Sequence, residues 1–164
     1  MPGMRIIACT GTLGAGKGAV VDYLVKQHDF NHLSVRSYLK ELLSETHPTI
    51  EIDRGALTTF ANQLRTEHGP AYLVEQLYER AIVLGKDSII ESVRTPGEIF
   101  ALRSLTAQRQ QPCLLLAVDA PAQLRYDRIV ERKSETDSVT FEQFQQDEAR
   151  EMHNDDPNKQ VFLI

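Results

Sequence analysis

Apolar residues in this chain follow two rhythms that take turns. Short runs rich in β-branched residues read as buried strands, and each is followed by a longer stretch whose apolar positions recur every three or four residues. The first run, Arg5-Ile6-Ile7-Ala8-Cys9, passes through a glycine-rich loop into the helical pattern Ala19-Val20-Val21-Asp22-Tyr23-Leu24-Val25. Phe30 to Ser34 reads as a second short strand, and Ser34 suits the cap of a helix with apolar residues at 35, 38, 39, 42 and 43. Pro48 ends that helix. Another opens near Asp53 with Leu57, Phe60, Ala61 and Leu64 on one stripe and closes at His68-Gly69-Pro70. Ala71 to Leu84 carries Leu73, Val74, Leu77, Tyr78, Ala81 and Ile82 and stops at Gly85, the place of a C-terminal glycine.

Asp87 to Arg94 is the third strand pattern, followed by Thr95-Pro96-Gly97 and a helix expected to bury Ile99, Phe100, Leu102 and Leu105. Cys113 to Val118 is a near-continuous apolar run, the pattern of a central parallel strand covered on both faces. Helices are expected from about Pro121 to Lys133 and from about Thr140 to Met152, with a polar loop between them. Val161–Ile164 opens a fifth strand, and a further helix is expected beyond it. Strands alternating with helices predict an α/β domain with a parallel sheet, right-handed crossovers, and a ligand site at the carboxyl ends of the strands.

Composition narrows this little. The 164 residues suit one domain, 1–164, and 41% hydrophobic content is ordinary for a globular core. A net charge of −5 argues against a dedicated nucleic-acid binder. No secretion-signal pattern opens the chain and no stretch approaches a membrane span, so a cytoplasmic location and no membrane partner are expected. Cys9 and Cys113 lie in apolar runs and read as reduced, buried thiols. His28, His32, His47 and His153 are isolated in sequence, with no spacing that presents two imidazoles to one metal, and His32 reads as an ordinary strand residue.

The chemistry enters at Gly11-Thr12-Leu13-Gly14-Ala15-Gly16-Lys17-Gly18. Glycines at this spacing between a strand and a helix turn backbone N–H groups inward onto a phosphate, and the helix N-terminus adds its partial positive charge. Lys17 then reaches the β- and γ-phosphates. The Ser or Thr that usually follows the lysine, and whose hydroxyl binds Mg²⁺, is here Gly18.

The run G-x-x-G-x-G-K-G resembles the loop of adenylate kinase and its nucleoside monophosphate kinase relatives, where glycine follows the lysine and the metal is held largely through water. That family commonly has threonine next; Ala19 stands here, with one hydroxyl contact to the α-phosphate fewer. The resemblance implies a P-loop NTPase three-layer sandwich with a five-stranded parallel sheet in order 2-3-1-4-5. It further implies an acceptor-binding helical region over about 35–85, a short lid over about 125–140, and ATP and Mg²⁺ as cofactors.

Phosphoryl transfer needs acids for the metal and arginines for phosphates. Glu91 interrupts an apolar strand near its carboxyl end, where a parallel neighbour sets it beside the loop, and a carboxylate there needs a partner such as a metal, through water, or an arginine. Arg94 sits just past the same strand. Glu91-Ser92-Val93-Arg94-Thr95 and Leu64-Arg65-Thr66-Glu67-His68-Gly69 resemble a small uncharacterised group of adenylate-kinase-like and dephospho-CoA-kinase-like proteins, and the likeness runs from the loop to about residue 151. By matched position the resemblance gives Arg94 the acceptor phosphate. The family's Ser-x-Gly-Asp-x-x-Arg run is matched by Ser34 to Lys40: Ser34 is kept, Arg36 and Ser37 replace Gly-Asp, and Lys40 replaces arginine, losing bidentate geometry. Arg65 is a second candidate for the acceptor phosphate.

Arg125, Arg128 and Arg132 are spaced three and four apart, which sets them on one helix face opposite a stripe of Tyr126, Ile129 and Val130. In the family this helix feeds the lid whose arginines clamp the donor phosphates, with Lys133 to Ser138 as the short lid segment. Asp147, Glu148, Arg150 and Glu151 extend the resemblance, with a pattern any exposed helix also shows. The expected activity is ATP-dependent phosphoryl transfer to a small metabolite, a nucleoside or deoxynucleoside monophosphate. Dephospho-CoA kinase, and a nucleotide-binding switch or assembly factor with slow ATPase activity, are the alternatives.

Overall fold

The computed structural model describes residues 3–132 and 139–153. Its strands are β1 (Ile6–Thr10), β2 (Asn31–Ser34), β3 (Ser88–Glu91) and β4 (Cys113–Ala117), all parallel, in the order β2-β3-β1-β4. This order agrees with the first four positions of the expected arrangement; the fifth candidate strand, Val161–Ile164, lies outside the described residues, as does Lys133 to Ser138. The helices are α1 (Lys17–His28), α2 (Val35–Thr46), α3 (Arg54–His68), α4 (Tyr72–Leu84), α5 (Pro96–Gln108), α6 (Ala122–Glu131) and α7 (Phe141–Met152).

Alternation along the strands separates two cores. Ile6, Ala8 and Ile90 face a large cluster built with α2, α3, α4 and α5, whereas Ile7, Cys9 and Ile89 pack with Val21 and Phe30 on the α1 side. Helix α4 lies deepest, with Leu73, Val74, Leu77, Tyr78 and Ala81 at most 1% exposed. Each large apolar side chain so buried contributes about 1.5–3 kcal/mol. That outweighs the few tenths of a kcal/mol by which β-branched Val74 and Ile82 disfavour helix.

Three expectations are corrected. Phe100 is 68% exposed, because α5 buries the stripe Glu98, Ile99, Leu102 and Thr106 and position 100 lies off it. Leu114 on β4 is 60% exposed, since β4 is the edge of the described sheet and is not covered on both faces. The third strand stops at Glu91, short of Arg94. Ser92 takes a left-handed φ of 70°, which ends the extended run, while the Val93 N–H still donates to the Cys9 carbonyl at 3.1 Å. A left-handed non-glycine residue costs about 1–3 kcal/mol and is found most often where a loop is shaped for function.

Candidate nucleotide-binding site

Strand β1, buried along its whole length, delivers the chain to the loop at the carboxyl edge of the sheet. Gly11 has φ 146°, and a Cβ there would collide with the Val118 carbonyl oxygen. Gly14 has φ 78° and Gly16, the N-cap of α1, φ 104°. Such values suit glycine and turn the chain tightly into the helix. The first-turn amides of α1, at Lys17 and Gly18, have no acceptor within the helix and carry its positive end. Thr12 is buried and its hydroxyl oxygen has no hydrogen-bond partner among the described residues. Leu13, Gly18 and Ala19 are exposed, whereas Gly14 and Ala15 are buried. Lys17 spans the loop, its Nζ donating to the carbonyls of Gly11 at 2.8 Å and Thr12 at 2.9 Å. Burial pulls its pKa down, as does the charge of Arg94 and, less, of Arg132, while Glu91 and Cys9 oppose them. A glycine loop that opens onto a helix N-terminus, spanned by a partly desolvated ammonium, fits a polyphosphate.

Register brings the acid to this point. Glu91 lies opposite Cys9 on one side and Ser34 on the other, one row across three strand ends. Among the described side chains, the one that meets it is a histidine and not the expected arginine. His32 Nε2 donates to Glu91 Oε2 at 2.6 Å. That bond holds the Glu91 carboxyl below its ordinary range against burial, with smaller help from the charges of His32 and Lys17, and raises the His32 imidazole in return. The Cys9 thiol is pushed up by burial first and by the Glu91 charge second, with Lys17 opposing. His32 had no expected role: it lies inside β2, two positions before the Ser34 that pairs with Glu91, and a contact between neighbouring strands leaves no trace in sequence spacing.

Arg94, exposed in the turn before α5, bears electrostatically on both Lys17 and Arg65. Arg65 reaches from α3 to Glu98 of α5, with Nη2 3.6 Å from Oε1, and burial pulls its guanidinium pKa down while Glu98 opposes. Ser34 caps α2 by accepting from the Ser37 N–H at 3.3 Å. Arg36 and Lys40 are exposed on α2, and among the described residues neither makes an ion pair with this cluster.

The arginines of α6 are sorted differently from the expected single face. Arg125 is 6% exposed and its guanidinium is consumed: Nε donates to the Ala120 carbonyl at 2.8 Å, Nη1 to Leu13 at 3.5 Å, and both terminal nitrogens to Glu148 of α7. Arg128 Nη1 donates to the Gly14 and Ala15 carbonyls, each at 3.1 Å. These two brace the loop from behind. Arg132 stays exposed, with Nε on the Arg128 carbonyl at 3.3 Å. Val130 is 42% exposed, not part of the apolar stripe, because α6 buries Arg125 and Ile129 and meets α7 through Tyr126 and the rings of Phe141 and Phe144, with Arg125 over Phe144. Glu148 makes that burial affordable.

Among the described residues, no group of three or more His, Cys, Asp or Glu converges as a metal cage, and no helix is long and apolar enough to cross a membrane. Glu91, with Oε2 bonded to His32, is the carboxylate near the loop that could hold a hydrated divalent ion.

A parallel sheet in this order, with a glycine loop wrapped around a lysine between β1 and α1, defines a P-loop nucleotide-binding fold. The chain belongs to the AAA domain family, whose model matches residues 7–153. A UPF0200 protein of Sulfurisphaera tokodaii is 27% identical over 142 residues, which span 85% of this chain and 72% of that one. Another, from Thermococcus gammatolerans, is 25% identical over 150 residues, 90% of this chain and 76% of its own. A candidate kinase from Chloroflexus aurantiacus, at 19% identity, shares the fold with a TM-score of 0.61 over 88% of this chain and 76% of that one.

Proposed function

We propose that the protein transfers the γ-phosphoryl group of ATP to a small acceptor, a nucleoside or deoxynucleoside monophosphate. The observation that carries this is the meeting of Lys17, the Glu91–His32 pair and Arg94 at the carboxyl ends of β1 and β3, one cation on the loop and one beyond it. Lys17 and the loop amides hold the β- and γ-phosphates. Exposed Arg132 faces the donor charge from the start of the lid segment, and Arg125 and Arg128 keep the loop in shape. Glu91, oriented by His32, would hold a hydrated Mg²⁺, which would supply positive charge to offset that of the donor phosphates. Arg94 with Arg65 holds the acceptor phosphate, and Ser34, Arg36 and Lys40 line the approach from α2. In the transfer an acceptor oxygen bonds to the γ-phosphorus as the β–γ bridging P–O bond breaks, and ADP leaves with the bridging oxygen.

A phosphate acceptor is already anionic near neutrality and needs no base. A hydroxyl acceptor such as dephospho-CoA needs one, and the His32–Glu91 pair is the observation that favours that second reading. The His32 Nε2–H is already given to Glu91, however, so that nitrogen is not open to take a proton from an acceptor hydroxyl, which weighs for the phosphate acceptor.

The test is ADP release measured across nucleoside monophosphates, deoxynucleoside monophosphates and dephospho-CoA. Lys17→Ala should abolish turnover in a folded protein, and Arg94→Ala should raise the acceptor KM far more than the ATP KM. Flat rates with every acceptor, alongside tight ATP binding, would replace the kinase by a nucleotide switch.

A further inference from the structure

Glu98, the third residue of α5, does more than its cap requires. Its Oε2 accepts the backbone N–H groups of Arg94 at 2.7 Å and Thr95 at 3.1 Å, and its own N–H donates to the Thr95 hydroxyl at 3.2 Å. A capping box of this kind is closed as well by glutamine as by glutamate, because the cap needs only an acceptor. Glu98 is fully buried, and an ionised carboxylate there carries a desolvation penalty of several kcal/mol that a neutral amide avoids. The cap therefore explains the shape of the residue and leaves its charge unexplained.

The charge faces Arg65. Oε1 lies 3.6 Å from Arg65 Nη2, and among the described residues Oε1 and Arg65 Nε are both buried without a hydrogen-bond partner. One carboxylate thus touches the backbone that carries Arg94 and the side chain of Arg65, which come from different elements of the fold. Arg65 and Arg94 lie near enough to repel. Two guanidinium groups that repel each other are held in one neighbourhood more cheaply with an anion beside them.

We propose that Glu98 is a positioning residue that sets Arg65 and Arg94 at the spacing of one phosphate. Its effect on catalysis rests on the reading that these arginines meet the acceptor. Arg94 is fixed through its backbone by the cap, and Arg65 is fixed through its side chain by the carboxylate charge. The two functions separate on substitution: Glu98→Gln keeps the cap and removes the charge, whereas Glu98→Ala removes both.

The experiment has two readouts on the full chain. In the kinetic one, Glu98→Gln should raise the KM for the nucleoside monophosphate about tenfold, the factor that 1.4 kcal/mol represents, and leave the ATP KM within about twofold. In an Arg65→Gln background the same change should add less than about twofold, because the charge then has nothing to hold. The second readout needs no turnover: solvent exchange of the Arg65 Nε proton, followed by NMR, should be slow in the wild type and fast in Glu98→Gln, with the Arg94 and Thr95 amides still protected. Equal rises in both KM values, or unchanged Arg65 exchange in folded Glu98→Gln, would overturn the proposal. Fast Arg65 exchange in a protein that phosphorylates no acceptor would uphold the positioning and remove the kinase reading alone.

Discussion

Replacing Gly14 by alanine tests whether α6 is pressed against the loop as tightly as the structure has it. A Cβ at Gly14 would lie 2.6 Å from the Arg125 carbonyl oxygen and 3.1 Å from its carbonyl carbon and Cα, all backbone atoms of α6 that no rotamer change can move aside. The φ of 78° adds the left-handed penalty, about 1–2 kcal/mol for an L-residue. Overpacking against backbone adds about 1–3 kcal/mol, for a total of about 2–5 kcal/mol. In a chain of this size that corresponds to a fall in Tm of roughly 5–20 °C. Nucleotide affinity should drop as well, since shifting Arg125 and Arg128 loosens their bonds to the carbonyls of Leu13, Gly14 and Ala15. Gly18→Ala is the control: nothing lies within 4 Å of its Cβ position, and alanine in helix gains up to about 1 kcal/mol over glycine. The assay is differential scanning calorimetry with and without ADP, on both variants. A Gly14→Ala melt within about 2 °C of the wild type, or an equal fall for Gly18→Ala, would refute the packing argument.

Two other perturbations probe the pairs that join separate elements. Glu148→Gln should cost about 1–3 kcal/mol, less than the 3–5 for a fully stripped buried charge because the Ala120 and Leu13 carbonyls still accept from Arg125; urea unfolding at constant m-value measures it, and an unchanged midpoint counts against the brace. For His32→Gln the effect on stability depends on pH. The raised His32 pKa contributes stability that is full below the unfolded imidazole value and fades as pH rises through the folded one, while the lowered Glu91 pKa contributes above the unfolded carboxylate value and fades as pH falls. The Tm deficit of His32→Gln, small because His32 is partly exposed, should therefore peak between about pH 4.3 and 6.5 and shrink on either side. A deficit flat from acid to alkaline pH would mean that packing, not the pair, is lost.

Local signals carried most of the architecture. Strand runs, the loop between β1 and α1, and the cap at Ser34 each lie within a few consecutive residues, so chain order alone exposes them. The partners were harder, because Glu91 with His32 and Arg125 with Glu148 meet only once the sheet register and the α6–α7 packing are set. Glu98 is an intermediate case. Thr95 and Glu98 have the spacing of a capping box, visible in the chain, but the carboxylate's second neighbour, Arg65, belongs to the tertiary structure. Arginines read as one donor-facing set were divided by burial, and the division follows from Glu148, an acid whose sequence context is that of any solvated helix.

The bonds from Lys17 to the Gly11 and Thr12 carbonyls change when the entropy of this side chain is lost. A free lysine stem holds about 2 kcal/mol of rotational freedom, which a ligand would otherwise have to quench. Here much of that freedom is surrendered during folding, when the loop carbonyls seize two of the three ammonium protons. An arriving polyphosphate then meets a cation already aimed, and more of its electrostatic attraction survives as affinity.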